Sequence, residues 1–325
     1  MKLKKKQHYV SQFYLKAWSK NKDHIYACDL KSQPFLVRTN ATAYSNFFYR
    51  VSPLSIEGIA ALKNIAQMLH AENTIIYKKI IQSINRIVFK GELFKRTSCA
   101  KQDQSYDETN ELLKEFKTNI IEEYFAYFEN KASPIIKKIL ESEEIYINKQ
   151  EYKNLLFFIT LQLLRSKKVL DRANSEFKKY HPILTNDEMY TISIYVSLIM
   201  SEKLSQSLNN DLNTLHIVKN RTNVNIITSD NPCVNYKFHE SNNTEFECIL
   251  PISPYIYLIL KENPYSEEIK KYISQQLANQ QEVNLLNKLI VIEETFDVNN
   301  IRWVNGLMKK NSNRYLYALH HQDFI

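Results

Sequence analysis

The residues best suited to chemistry in this chain begin at Gln7-His8-Tyr9. Imidazole titrates near neutral pH, so His8 could serve as a general acid or base. Gln12 follows four residues later, and helical spacing would set it on the same face as His8. A histidine and an amide so placed could position a phosphate or a base edge; they could equally satisfy buried backbone groups. Arg165 ends the apolar run Leu155–Leu164, three residues after Gln162. A partly buried arginine needs an anion. Either the carboxylate of Asp230 or a substrate phosphate would serve. Asp230 lies in Thr228-Ser229-Asp230-Asn231-Pro232, after a predicted strand. There Asp230 could hold a metal or orient His8, and Ser229 could donate to a phosphate; the same residue types also make turns. Glu122 and Glu129 stand two helical turns apart. Carboxylates at that spacing can hold a divalent cation such as Mg²⁺. The competing reading is a solvated helix face paired with Lys117 and Lys131.

The basic run Lys2-Leu-Lys4-Lys5-Lys6 precedes Tyr9, Phe13, Tyr14 and Trp18. Basic residues interleaved with aromatics can track a nucleic-acid backbone and stack bases, and a frayed, solvated terminus explains the lysines as well. The net charge of +8 favours phosphate-bearing partners. Composition excludes other classes. The 325 residues contain three glycines, Gly58, Gly91 and Gly306, so neither a Walker A loop nor a dinucleotide-binding fingerprint can be written. A Gly-x-Ser-x-Gly elbow is also missing, which leaves a Ser-His-Asp hydrolase unsupported. Cys28, Cys99, Cys233 and Cys248 make no CxxC pair, and a cysteine-based zinc site is not expected. No apolar segment follows the basic N terminus, and Leu155–Leu164 and Ile192–Met200 are too short to span a bilayer. A cytoplasmic protein with reduced thiols and no membrane partner is expected.

The elements that must position these residues follow from periodicity. A short helix from Gln12 and a hairpin of Ile25–Leu30 with Phe35–Arg38 are predicted in residues 1–52. A helical body follows in 53–211. Its helices are expected from the Ser55 cap to Ala71, over 72–90 ending near Gly91, over 108–130, and over 133–142 with Pro134 in its first turn. Two more are expected, from the Asn148 cap to about 178 and from Asp187 to about 208, with a loop at 96–107. Beyond 212 the chain turns β-rich, with runs at Leu215–Val218, Val224–Thr228, Cys248–Pro251 and Tyr255–Leu260. Helices at 266–279, 280–293 and 299–309, and either a closing strand or an extended tail from Tyr315, complete it. No clean linker divides the chain, so a single domain over 1–325 is expected. Its fold class is α+β: a large helical body packed against a small, mostly antiparallel sheet drawn from both termini.

Several stretches together resemble a bacterial family of unknown function whose members begin with His-Tyr-Val-Pro-Gln-x-Tyr-Leu. Here the signature reads His8-Tyr9-Val10-Ser11-Gln12-Phe13-Tyr14-Leu15, with Ser11 in place of proline. Asn46-Phe-Phe-Tyr49, Glu123-x5-Glu129, Gln162-x2-Arg165, Thr228–Pro232 and Pro251-Ile-Ser-Pro254 follow in the family's order. The resemblance implies a cytoplasmic bacterial protein, with some members linked to phage defence or toxin systems. It carries over no activity.

The leading expectation is a nuclease-like effector acting on RNA or DNA. His8, Gln12, Arg165 and Asp230 would form its site, and Lys4, Lys5, Lys6, Tyr9, Arg165 and Ser229 would contact nucleic acid. A protein partner such as an antitoxin fits that setting. The alternatives are a non-enzymatic binding or sensor module and an enzyme acting on a small phosphorylated metabolite.

Overall fold

The computed structural model describes residues 3–21, 23–29, 32–98, 104–210, 213–237, 246–261 and 290–324. Cys99, the predicted helix at 266–279 and most of that at 280–293 lie outside the described residues. The fold class is α+β, with three sheets among the described residues where one was expected. The chain forms two compact units, each assembled from three stretches of sequence.

The first unit comprises residues 1–9, 44–128 and 164–203. Its β component is a two-stranded antiparallel ribbon of β1 (Lys6–His8) and β4 (Tyr44–Asn46), with Lys6 opposite Asn46 and His8 opposite Tyr44. Helix α2 (Ile56–Met68) begins where predicted, because the Ser55 hydroxyl accepts the Gly58 N–H at 3.1 Å. A π-helical segment (Ile76–Ile81) leads into α3 (Gln82–Ser98). Gly91, expected to end that helix, lies within it. A Cβ there would come 2.7 Å from Leu113 Cδ1, so its lack of a side chain serves close packing and not termination.

Helix α4 (Gln104–Glu141) replaces the two helices expected between 108 and 142. Pro134 lies inside it and deprives the Asn130 carbonyl of its helical donor, a disruption worth about 3 kcal/mol. Burial of Ala132, Ile135, Ile136 and Ile139 around it offsets that cost, at roughly 1.5–3 kcal/mol for a large aliphatic side chain. Helix α5 (Lys149–Leu164) opens with the expected Asn148 cap, since Asn148 Oδ1 accepts from Glu151 N and Glu151 Oε2 accepts from Asn148 N, both at 2.9 Å. It stops at Leu164 rather than near 178. Ser166 takes an extended conformation and caps a separate helix, α6 (Lys167–Tyr180). Helix α7 (Asn186–Asn210) runs close to its predicted span.

The second unit comprises 10–43, 129–163 and 204–325. It begins with α1 (Gln12–Leu15) and the hairpin of β2 (His24–Asp29) and β3 (Phe35–Arg38), whose pairing matches the expectation. Strands β5 (Thr214–Asn220), β6 (Thr228–Ser229), β7 (Val234–Asn235), β8 (Glu247–Ser253) and β9 (Ile256–Lys261) follow. The chain continues through β10 (Ile290–Thr295), α8 (Val298–Asn311) and β11 (Tyr315–Ala318). One sheet runs β3-β2-β11-β6 and joins the N- and C-terminal segments; the other runs β10-β5-β9-β8-β7, with β10 parallel to β5. Residues 290–293, predicted helical, are part of that parallel edge strand. The strand expected at 224–228 shrinks to Thr228–Ser229, because Ile226 N donates to Pro254 O and Ile227 N to Asn305 Oδ1 instead of to a ladder. A core of Val218, Ile249 and Tyr257 from the five-stranded sheet, Leu316 from the other, and Ile301 and Met308 from α8 holds this unit together.

Candidate functional site

In the first unit, alternation along β1 decides what each side chain does. Gln7 points inward and is fully buried, while Lys6 and His8 take the other face. The Gln7 amide is used at both ends: Oε1 accepts from Tyr49 N at 2.6 Å and Nε2 donates to Thr118 O at 2.5 Å. Lys4 N donates to Asn119 Oδ1 at 2.9 Å, and Lys4 Nζ lies 3.6 Å from Glu123. These bonds pin β1 to α4. On the outer face, Lys6 Nζ lies 4.8 Å from the Tyr44 ring centroid, and the His8 ring lies 5.6 Å from the same ring. Strand β4 is bracketed by Ala43 and Phe47, with φ of 50° and 55°. Left-handed backbone at a non-glycine residue costs about 1–2 kcal/mol, and it tends to persist where function or packing demands it.

Arg165 sits at the break between α5 and α6. Its guanidinium is completely buried, 4.9 Å over the Phe125 ring. The Tyr49 hydroxyl donates to Arg165 O at 3.3 Å, and the Tyr49 ring meets Phe125 edge-on at 4.6 Å. Phe48 packs against Tyr9 and Tyr190, with Lys167 Nζ 6.0 Å from its centroid. Burial, then the nearby Asp171, pushes the Tyr190 phenol above its ordinary range. Gln7, Tyr49 and Arg165, from three separate sequence motifs, thus converge in one unit.

The remaining motifs converge in the second unit. The Tyr14 hydroxyl donates to Pro251 O at 2.5 Å. Having one proton, it must accept from the Thr228 hydroxyl, 2.7 Å away. Trp18 Nε1 donates to Ile226 O at 3.0 Å. Asp230 is fully buried, and its carboxylate accepts three backbone N–H groups, from Asn313 at 2.7 Å, Arg314 at 2.9 Å and Tyr315 at 3.1 Å. Burial raises the Asp230 carboxyl pKa, and the three N–H donors, which pull it down, do not fully offset this. Ser229 Oγ accepts from Asn231 N at 3.1 Å and donates to Asn231 O at 2.9 Å, the turn geometry its residue type permits.

The expected site residues therefore fall into two sets. His8, Arg165, Tyr9, Glu122 and Lys4 to Lys6 belong to the first unit, and Gln12, Ser229, Asp230 and Glu129 to the second. His8 and Gln12 do not share a helical face, because His8 ends a strand and α1 starts only at Gln12. Lys117, expected beside the Glu122 pair, bonds Glu92 at 2.6 Å. Among the described residues, no group of three or more His, Cys, Asp or Glu side chains is placed to hold a metal ion. Among the same residues, no helix is long and apolar enough to cross a membrane. Tyr14 and Tyr49 carry a signal in the sequence, since they stand inside the His8–Leu15 and Asn46–Tyr49 motifs. Tyr44 carried no comparable signal; its strained neighbours are visible only in the backbone.

No curated protein and no solved structure matches the chain. A family model described as Protein of unknown function (DUF4238) matches residues 6–322. The chain belongs to that family.

Proposed function

We propose that the protein is a nucleic-acid-acting, nuclease-like effector in a bacterial defence or toxin setting, working in the cytoplasm. The observation that carries this reading is the outer face of the β1–β4 ribbon, where Lys6 and His8 flank Tyr44. An ammonium attracts phosphate, an aromatic ring stacks a base, and an imidazole moves protons. The net charge of +8 strengthens attraction to a polyanion. Purified protein incubated with labelled RNA and DNA, in Mg²⁺, Mn²⁺ or EDTA, tests the reading. Binding that weakens in Lys6→Ala and Tyr44→Ala supports it, and binding to neither polymer overturns it.

A second reading, a binding or sensor module without catalysis, draws on the burial of Gln7, Arg165 and Asp230. All three are fully enclosed, and Gln7 and Asp230 bond chiefly to backbone, as scaffold residues do. Nucleic-acid binding without cleavage would favour it.

A further inference from the structure

Resting on the nucleic-acid reading, we propose that the ribbon face acts on single-stranded RNA, that the substrate's own 2′-hydroxyl is the nucleophile, and that His8 is the base. Two observations of different kinds meet at this place. One is the cluster itself. Lys6 and His8 are two residues apart on β1, so they share a face about 6–7 Å apart along the strand. Both side chains also converge on Tyr44, which the register sets opposite His8. The other is strain. Two of the three non-glycine residues with left-handed backbone among the described residues stand immediately before and after β4, the strand that presents Tyr44. Gln7, between Lys6 and His8, fixes the strand from behind through its two buried bonds.

A ribonucleotide step stacked against Tyr44 would bring its phosphodiester between the Lys6 ammonium and the His8 imidazole. Those two groups, with water, supply a base, a counter-charge and a proton source for an internal transfer. The imidazole takes the proton of the 2′-hydroxyl. The 2′-oxygen forms a bond to phosphorus, and the bond from phosphorus to the 5′-oxygen breaks. The 5′-oxygen leaves with the electron pair and takes a proton from water, while the imidazolium returns its own proton to solvent. The products are a 2′,3′-cyclic phosphate and a 5′-hydroxyl. Lys6 offsets the charge that builds on the phosphate oxygens. DNA lacks the nucleophile, so the 2′-hydroxyl separates the two polymers chemically as well as by contact.

The test uses the full chain with end-labelled single-stranded RNA, the same sequence carrying 2′-O-methyl groups throughout, and the matching DNA, all in EDTA. Cleavage and binding are measured separately for wild type, His8→Ala, His8→Gln and Lys6→Ala. The expected result is RNA fragments ending in cyclic phosphate, with the 2′-O-methyl RNA and the DNA intact. Both His8 variants should lose about 100-fold or more of the cleavage rate while their RNA affinity stays within about threefold. His8 is only half-buried, and at least one of its two variants should match wild type in thermal unfolding. RNA that is bound but uncut, fragments ending in 5′-phosphate, cleavage of the 2′-O-methyl RNA, or undiminished cleavage in both His8 variants would each overturn this inference and leave the nucleic-acid reading standing. Binding to neither polymer would remove both.

Discussion

Tyr14 and Pro251, 237 residues apart in sequence, are joined by a 2.5 Å hydrogen bond from the tyrosine hydroxyl to the proline carbonyl. The Thr228 hydroxyl completes the node. All three groups are buried within the second unit, and burial holds the Tyr14 phenol well above its ordinary pKa, so it remains a neutral donor. Tyr14→Phe keeps the ring and removes the hydroxyl, leaving the Pro251 carbonyl and the Thr228 hydroxyl without this partner. The expected cost is about 2–3 kcal/mol, read as a fall of several degrees in melting temperature. An unchanged melting temperature would show that the node contributes little.

Asp230 offers a sharper separation of structure from chemistry. Three backbone N–H groups depend on its carboxylate, so Asp230→Ala should destabilise the protein by about 3–5 kcal/mol, in the range for breaking a buried charged network. Urea denaturation of the variant measures this directly. A variant as stable as wild type that lost only activity would instead assign Asp230 to the reacting site.

Gln7 allows a prediction with a pH signature. Its Nε2 donates to Thr118 O, so Gln7→Glu turns a donor into an acceptor facing an acceptor. The new carboxyl group would be buried, and burial raises a carboxyl pKa. Only its protonated form can donate. The folded state would therefore bind a proton that the unfolded state releases, and stability should fall as pH rises above the ordinary glutamate range. Melting temperatures taken between pH 4 and pH 8 should diverge from wild type with increasing pH. A constant offset across that range would contradict the buried-donor account.

Glu188 should show the opposite slope. Burial works against its charge, but Ser55 N at 2.6 Å and the backbone and hydroxyl of Thr185 at 3.0 and 2.9 Å outweigh it and hold the carboxyl below its ordinary pKa. A depressed folded pKa gives stability that is present above the unfolded value and lost as pH falls through the folded one. Glu188→Gln should be less stable than wild type at pH 7 by about 1–2 kcal/mol. It should also lose less on acidification from pH 5 to pH 3. Parallel acid melts for the two proteins would sink the assignment.

Features that depend on a few neighbouring residues were legible in the sequence. Ser55 and Asn148 cap helices where their residue types and following patterns require it. The β2–β3 hairpin, the cores of β5, β8, β9 and β11, and the start of α8 follow from local alternation and turn residues. The scarcity of glycine by itself rules out glycine-rich phosphate loops. Local patterns misled where a distant neighbour set the outcome. Gly91 reads as a helix end, but Leu113 makes it a packing glycine. Pro134 reads as a helix start, but the buried isoleucines around it keep one helix continuous. The apolar run before Arg165 conceals a break, since Ser166 caps α6 with the same residue type that a helix interior tolerates.

For the candidate site the same division holds. Residue types alone marked His8, Gln12, Arg165 and Asp230 as able to do chemistry. Only the tertiary structure decided that Asp230 serves the backbone of 313–315, that Arg165 is enclosed over Phe125, and that Lys6 and His8 share an outer face with Tyr44. The physical reason is range. Capping, alternation and turn preference act within a few residues and leave their mark in the local sequence. The partners of a buried polar group are chosen by whichever distant segment the fold brings within about 3 Å of it, and a single sequence does not encode that choice locally.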